Sequence, residues 1–248
     1  MHTELPNLIT LIERVFHGAP WTESLVIWEN VIFSLIAAAL LVTVTYFATR
    51  KSSLIPSRLQ CAVEVVAGGI DNFICGILGP QGRKYVPFIG SLFVYILIMN
   101  FMGLVPLMKS STTSWSTTLA LALCVFGYVQ YTAVKSMGFK GYIDHLMGKP
   151  RGIVAFSVVI PILMLFMEII SELVRPISLS LRLRSNIWGD DMLLGVVSGF
   201  GIGGVPLVIF SYLLAIIASM VQAVVFCLLT TVYFALVLTH DELEQSAH

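Results

Sequence analysis

One otherwise apolar stretch, residues 177–191, contains four ionisable side chains that could take part in chemistry. They are Arg182, Arg184, Asp190 and Asp191. A charged side chain at the centre of a bilayer costs about 2.5–3.5 kcal/mol on insertion scales, and such residues usually serve function. Guanidinium stays protonated at every physiological pH. Arg182 is therefore predicted to be a fixed positive charge.

Helical periodicity places six polar side chains on one face that covers less than a third of the helix circumference. The six are Glu168, Glu172, Arg175, Arg182, Asn186 and Asp190. By the helix rise, Glu168 lies about 21 Å to one side of Arg182 and Asp191 about 14 Å to the other. Acids on both sides of one cation predict two separate polar paths, with Glu168 and Glu172 on the inner path and Asp190 and Asp191 on the outer path.

A purely structural interpretation stays open for the other charges, because acids and arginines inside a helix bundle can neutralise each other. Arg184 and Asp191 share the opposite face of the helix, which predicts a polar pair. Arg175, beside Pro176, is interpreted as a snorkelling side chain. Gln222, taken alone, is explained by a hydrogen bond between helices.

Composition indicates an integral membrane protein, since the 248 residues are 57% hydrophobic and only 11% charged, with a mean hydropathy of +0.92. The formal net charge of zero argues against a nucleic-acid partner. The four cysteines show no metal-ligand spacing, and we expect neither a metal site nor a cofactor. No Gly-x-x-x-x-Gly-Lys loop is present, so any ATP chemistry would belong to partner chains.

Apolar runs predict an all-α integral membrane protein, a single membrane domain over residues 1–248. Residues 54–79 are interpreted as a helix on the cytoplasmic face, because a span there would bury Glu64 and Asp71. Two segments are too long to stand upright in a core of about 30 Å and predict a long, steeply tilted C-terminal helical hairpin. The remaining predicted segments are an external amphipathic one at 1–26 and upright spans at 30–49, 85–108 and 117–134, with the hairpin at 153–198 and 205–239.

Basic residues predict the orientation of these segments. Nine lysines and arginines fall in the loops assigned to the cytoplasm, and only Arg14 and Lys109 fall outside. This bias follows the positive-inside rule. We therefore expect the N-terminus outside and the C-terminus inside. Lys109 is followed by a polar Ser/Thr loop at 110–116 that is also predicted to lie outside.

Four motifs, found in the same order and spacing, resemble subunit a of the F-type ATP synthase. They are PISLSLRLRSN at 176–186, QAVVFCLLTTVY at 222–233, GRKYVPFIGSLF at 82–93 and TTLALAL at 117–123. The resemblance implies a non-catalytic, ion-translocating stator subunit with two aqueous half-channels. It also implies three kinds of partner: a ring of c subunits that carries the rotor carboxylate, peripheral-stalk b subunits and the whole synthase complex in a lipid bilayer.

The same resemblance assigns roles to single residues. The family's obligatory arginine falls on Arg182 and its asparagine on Asn186, and its second-helix glutamine falls on Gln222. The inner acid falls on Glu168, and the outer acid on Asp191 with Asp190 as an extra neighbour. The chain departs from the family pattern at two positions, with Ala215 where some members have histidine and with Arg184 two residues after the obligatory arginine.

Two questions stay open at this level. A self-contained ion channel or secondary transporter is the alternative function, although such proteins commonly show inverted repeats that this sequence lacks. A bacterial inner membrane is the expected location, with the mitochondrial inner membrane as the alternative. Neither the choice between H⁺ and Na⁺ nor the size of the ring follows from the residues.

Overall fold

The computed structural model describes residues 28–50, 58–105, 108, 110–146, 156–200 and 204–245. This part of the chain is all-α, which confirms the predicted fold class. Short 3₁₀ helices at Pro80–Lys84 and Ser111–Thr113 precede the third and fourth α-helices. The α-helices are α1 (Glu29–Thr49), α2 (Arg58–Leu78), α3 (Val86–Leu104), α4 (Trp115–Leu146), α5 (Phe156–Ser198) and α6 (Val205–Gln245).

Five of the described segments are long and apolar enough to cross a membrane: Glu29–Thr49, Gln60–Leu78, Val86–Leu104, Trp115–Ser136 and Val205–Leu238. They include most of α2, so its predicted place on the cytoplasmic face stays a prediction. The amphipathic segment predicted for residues 1–26 lies outside the described residues.

The two long helices, α5 and α6, pack against each other. They contain 43 and 41 residues, which correspond to roughly 65 Å and 60 Å of helix. No break occurs in either helix, and α5 continues through Pro161 and Pro176.

Aromatic side chains fasten three of the helices together at the start of α3. Tyr85 stacks on Phe234 of α6 with 4.6 Å between ring centroids, and Phe88 contacts Tyr128 of α4 at 4.4 Å. Tyr85 and Phe234 are buried, together with Ile74 of α2. Aromatic pairs of this kind stabilise a core beyond the area that they bury.

The Ser/Thr segment before α4, predicted as an outer loop, is buried within the bundle from Ser110 to Thr112. Thr112 Oγ1 donates to Asn100 Oδ1 at 3.0 Å, and Ser110 Oγ donates to the Met99 carbonyl at 3.2 Å. Gly103 permits this close approach, because a Cβ atom there would lie 2.6 Å from the Cβ of Ser110. The hydroxyl composition that suggested a solvated loop instead supplies internal hydrogen bonds.

Candidate functional site

The predicted polar stripe exists, because α5 is one continuous helix over all of its residues. Arg182 is exposed on the surface of this helix, while the neighbouring Leu179 and Leu183 are buried against the rest of the bundle. Among the described side chains, no carboxylate lies within 4.0 Å of the Arg182 guanidinium. The positive charge of Arg182 therefore lies on the exposed surface of an otherwise apolar protein.

Arg175, seven residues before Arg182 on α5, has close partners. Its Nη1 lies 2.7 Å from Glu172 Oε1, and its Cζ lies 5.4 Å from the ring centroid of Tyr233 on α6. The side chains of Arg175 and Glu172 are 24% and 16% exposed. The snorkelling interpretation of Arg175 is therefore wrong, because a neighbouring carboxylate one turn away holds the charge within the bundle.

Two further residues hold Glu172. Gln130 of α4 donates from Nε2 to Glu172 Oε2, and Tyr142 donates from its hydroxyl to Gln130 Oε1 at 2.6 Å. Burial raises the pKa of the Tyr142 phenol above its ordinary value, so this group stays a hydrogen-bond donor at neutral pH. Both ends of the Gln130 amide are consequently engaged.

Arg184, on the other side of α5, contacts the segment before α4. Its Nε donates to the Thr113 carbonyl at 3.2 Å, and its Cζ lies 5.4 Å from the ring centroid of Trp115. The side chain of Asp191 lies outside the described residues, so its pairing with Arg184 stays a prediction. Arg184 has partners of its own in either case.

The part of the stripe that follows Arg182 along α5 meets α6 at a pair of amides. Asn186 Nδ2 donates to Gln222 Oε1 at 2.6 Å, and Gln222 is 2% exposed. In the described part of the chain, Gln222 Nε2 and Asp190 Oδ2 are buried without a hydrogen-bond partner. An unpaired buried polar atom costs about 1–3 kcal/mol, so such atoms are uncommon in a core that serves packing alone.

A row of small residues on α6 is buried: Ser211, Ala215 and Ser219. It packs toward α3, whose Asn100 donates from Nδ2 to the Ser219 carbonyl at 3.5 Å. Glu168 is partly exposed, on the same face of α5 as Glu172. No group of three or more metal-ligating side chains occurs among the described residues.

Sequence reasoning missed Asn100, Gln130 and Tyr142. A signal was present for the first two, because each is an isolated amide within an otherwise apolar span, where such groups usually bond to another helix. No comparable signal marked Tyr142, which lies beyond the span. It reaches Gln130 only because α4 is kinked at Gly138, whose backbone angles are not helical.

Comparison with known proteins decides the family. The profile described as ATP synthase A chain matches residues 31–235, most of the chain. The chain belongs to the ATP synthase A chain family. It is therefore a stator subunit of the membrane sector of an F-type ATP synthase, and it serves ion transport coupled to ATP synthesis.

Relatives named ATP synthase subunit a agree over nearly the full length. The protein from Protochlamydia amoebophila is 39% identical, covering 98% of this chain and 92% of the relative. The protein from Solidesulfovibrio magneticus is 40% identical, covering 92% of this chain and 90% of the relative. The protein from Sulfurihydrogenibium sp. is 33% identical, covering 86% of this chain and 99% of the relative.

Proposed function

We propose that this chain forms two aqueous half-channels that meet at Arg182, where a carboxylate of a rotating c-subunit ring exchanges its ion. Asp190 and Asp191 line the outer path, and Glu168 lines the inner path. Asn186 and Gln222 hydrogen-bond to each other and orient water or the arginine between the paths. The transported ion is H⁺ or Na⁺.

The observation that carries this proposal is the difference between Arg182 and the other two arginines of α5. Arg175 is paired with Glu172, and Arg184 is bonded to the Thr113 carbonyl. Arg182 is exposed and has no carboxylate partner among the described side chains. An unpaired intramembrane charge is costly, so a partner on another chain is the expected compensation.

The mechanism follows from the permanent charge of Arg182. An ionised rotor carboxylate is attracted to the guanidinium, whereas a protonated one is neutral and can face lipid. Ions therefore enter by one path, travel with the ring and leave by the other path, and the cation prevents direct leakage. The membrane potential supplies about 2.3 kcal/mol per elementary charge for each 100 mV.

The proposal extends to partners and orientation. The c-subunit ring would lie against the exposed face of α5, and the peripheral-stalk b subunits would hold the chain still. The charge bias of the loops supports an N-terminus outside and a C-terminus inside, in a bacterial inner membrane.

Substitution of Arg182 by alanine tests the function. We expect R182A to abolish ATP-driven acidification of inverted membrane vesicles while the complex stays assembled, because no fixed cation would then release the rotor ion. Arg50→Ala is the control, since Arg50 is an exposed arginine at the end of α1. Retained acidification in R182A would contradict the proposal.

A further inference from the structure

Two arginines, Arg175 and Arg182, lie on the same face of α5. They are seven residues apart, so the helix separates them by about 20° around its axis and about 10 Å along it. A rotor carboxylate that moves along this face would meet both cations. A second free cation would hold the ionised carboxylate and compete with Arg182.

The structure distinguishes the two charges by their partners. Glu172 neutralises Arg175 at 2.7 Å, and the ring of Tyr233 covers its guanidinium at 5.4 Å. Arg182 has neither kind of contact among the described residues. Each contact of Arg175 therefore reduces the positive potential that it offers to another chain.

A chain of hydrogen bonds from α4 fixes the neutralising carboxylate. Gln130 accepts from the Tyr142 hydroxyl at 2.6 Å and donates to Glu172. Twelve residues separate Gln130 from Tyr142, and a straight helix would place them about 18 Å apart. The chain closes that distance through Gly138, whose φ of 72° and ψ of 161° turn the end of α4 back.

We propose that Glu172, Gln130 and Tyr142 are positioning residues that mask the charge of Arg175, so that Arg182 is the cation which the rotor carboxylate meets. The inference rests on the proposed function and adds to it. It also changes the role of one acid, because Glu172 neutralises Arg175 instead of conducting ions. Glu168 is then the conducting acid of the inner path.

Neutral, nearly isosteric variants test this masking in the assembled complex. Glu172→Gln removes the negative charge and exposes that of Arg175. We expect the rate of vesicle acidification per assembled complex to fall roughly fivefold. This factor corresponds to the weak Coulomb attraction between the exposed charge of Arg175 and the rotor carboxylate at contact distance in water. Glu172→Asp keeps the charge and should retain most of the activity.

Suppression of the Glu172→Gln defect by a second substitution at Arg175 distinguishes charge masking from a purely structural ion pair. Arg175→Gln should affect acidification less than Glu172→Gln, and the double variant should recover most of the parent rate. Gln130→Leu should show a smaller loss that Arg175→Gln also suppresses, although Gln130 has no hydrogen bond or ion pair with Arg175 among the described contacts. Asp71→Asn is the matched control, because it removes the carboxylate beside Arg83 away from the stripe.

Three results would overturn the inference: parent-like acidification in Glu172→Gln, equal losses in the two single variants, or no recovery in the double variant. Where Glu172→Gln fails to assemble, Gln130→Leu with and without Arg175→Gln decides by the same criterion. R182A is measured in parallel. Loss of acidification in R182A together with parent-like acidification in Glu172→Gln would contradict only the masking of Arg175. Retained acidification in R182A would contradict the proposed function.

Discussion

At the scale of single residues, three arginines on one helix have three different environments. Arg175 has a carboxylate, Arg184 has a carbonyl and an aromatic ring, and Arg182 has no carboxylate among the described side chains. All three guanidinium groups carry the same charge, so their contacts determine the different role of each arginine. Arg182, which has no carboxylate or aromatic-ring contact among the described side chains, is the arginine available to another subunit.

Arg184 supports a prediction at this scale. We expect Arg184→Ala to lower coupled acidification roughly two- to fivefold without abolishing it, because one cation–π contact and one hydrogen bond are lost. Arg184→Lys keeps the charge but lacks the planar stacking surface over Trp115, and it should recover only part of the loss.

The predicted partnership of Arg184 with Asp191 has its own test. If the two are paired, Asp191→Ala alone leaves an uncompensated cation and should reduce acidification more than the double alanine variant does. Equal losses in Arg184→Ala, Asp191→Ala and the double variant would contradict the pair, and the contacts with Thr113 and Trp115 would then account for Arg184.

At the scale of elements, α5 carries the charges, and α4 and α6 hold them in place. α6 contributes Gln222 beside Asn186 and Tyr233 beside Arg175. α4 contributes Gln130 from its long section and Tyr142 from the short section beyond Gly138. The kink in α4 is therefore part of the site, although it lies outside the charged helix.

Gly138 in the kink of α4 supports a prediction at the scale of elements. Its φ of 72° and ψ of 161° belong to a region that is essentially restricted to glycine, so Gly138→Ala should cost about 1–3 kcal/mol of stability. We expect it to lower acidification as Gln130→Leu does, since Tyr142 would no longer reach Gln130. Gly127→Ala is the control in the same helix, because its Cβ would enter open space. Parent-like acidification in Gly138→Ala would contradict a role for the kink.

Some elements could be predicted from sequence and others could not. The stripe on α5 depends on spacing along one helix, and local periodicity is sufficient to find it. The burial of Ser110 and Thr112 depends on partners in other helices, so their composition alone suggested a solvated loop. The hydrogen bond from Tyr142 to Gln130 depends on the fold-back at Gly138, which spacing along the chain does not encode.

At the scale of the whole molecule, the chain presents an unusual outer surface. Much of α5 and α6 exposes large apolar side chains, and Arg182 lies among them. A lipid-facing helix would not carry an unpaired cation at this position. A protein partner with a carboxylate, moving across an apolar face, fits both the exposed surface and the charge.

The most direct measurement of this account is photo-crosslinking from cysteines on the Arg182 face. Ser178 and Ser185 are exposed one turn to either side of Arg182, and Val42 on α1 is 63% exposed. Each of the three residues is replaced by cysteine in a variant whose four native cysteines are alanine. The new cysteine is labelled with a benzophenone maleimide, and the assembled complex is then irradiated. The account predicts adducts with the small ring protein from positions 178 and 185 but not from 42. Ring adducts from position 42 alone, or none from 178 and 185, would contradict it.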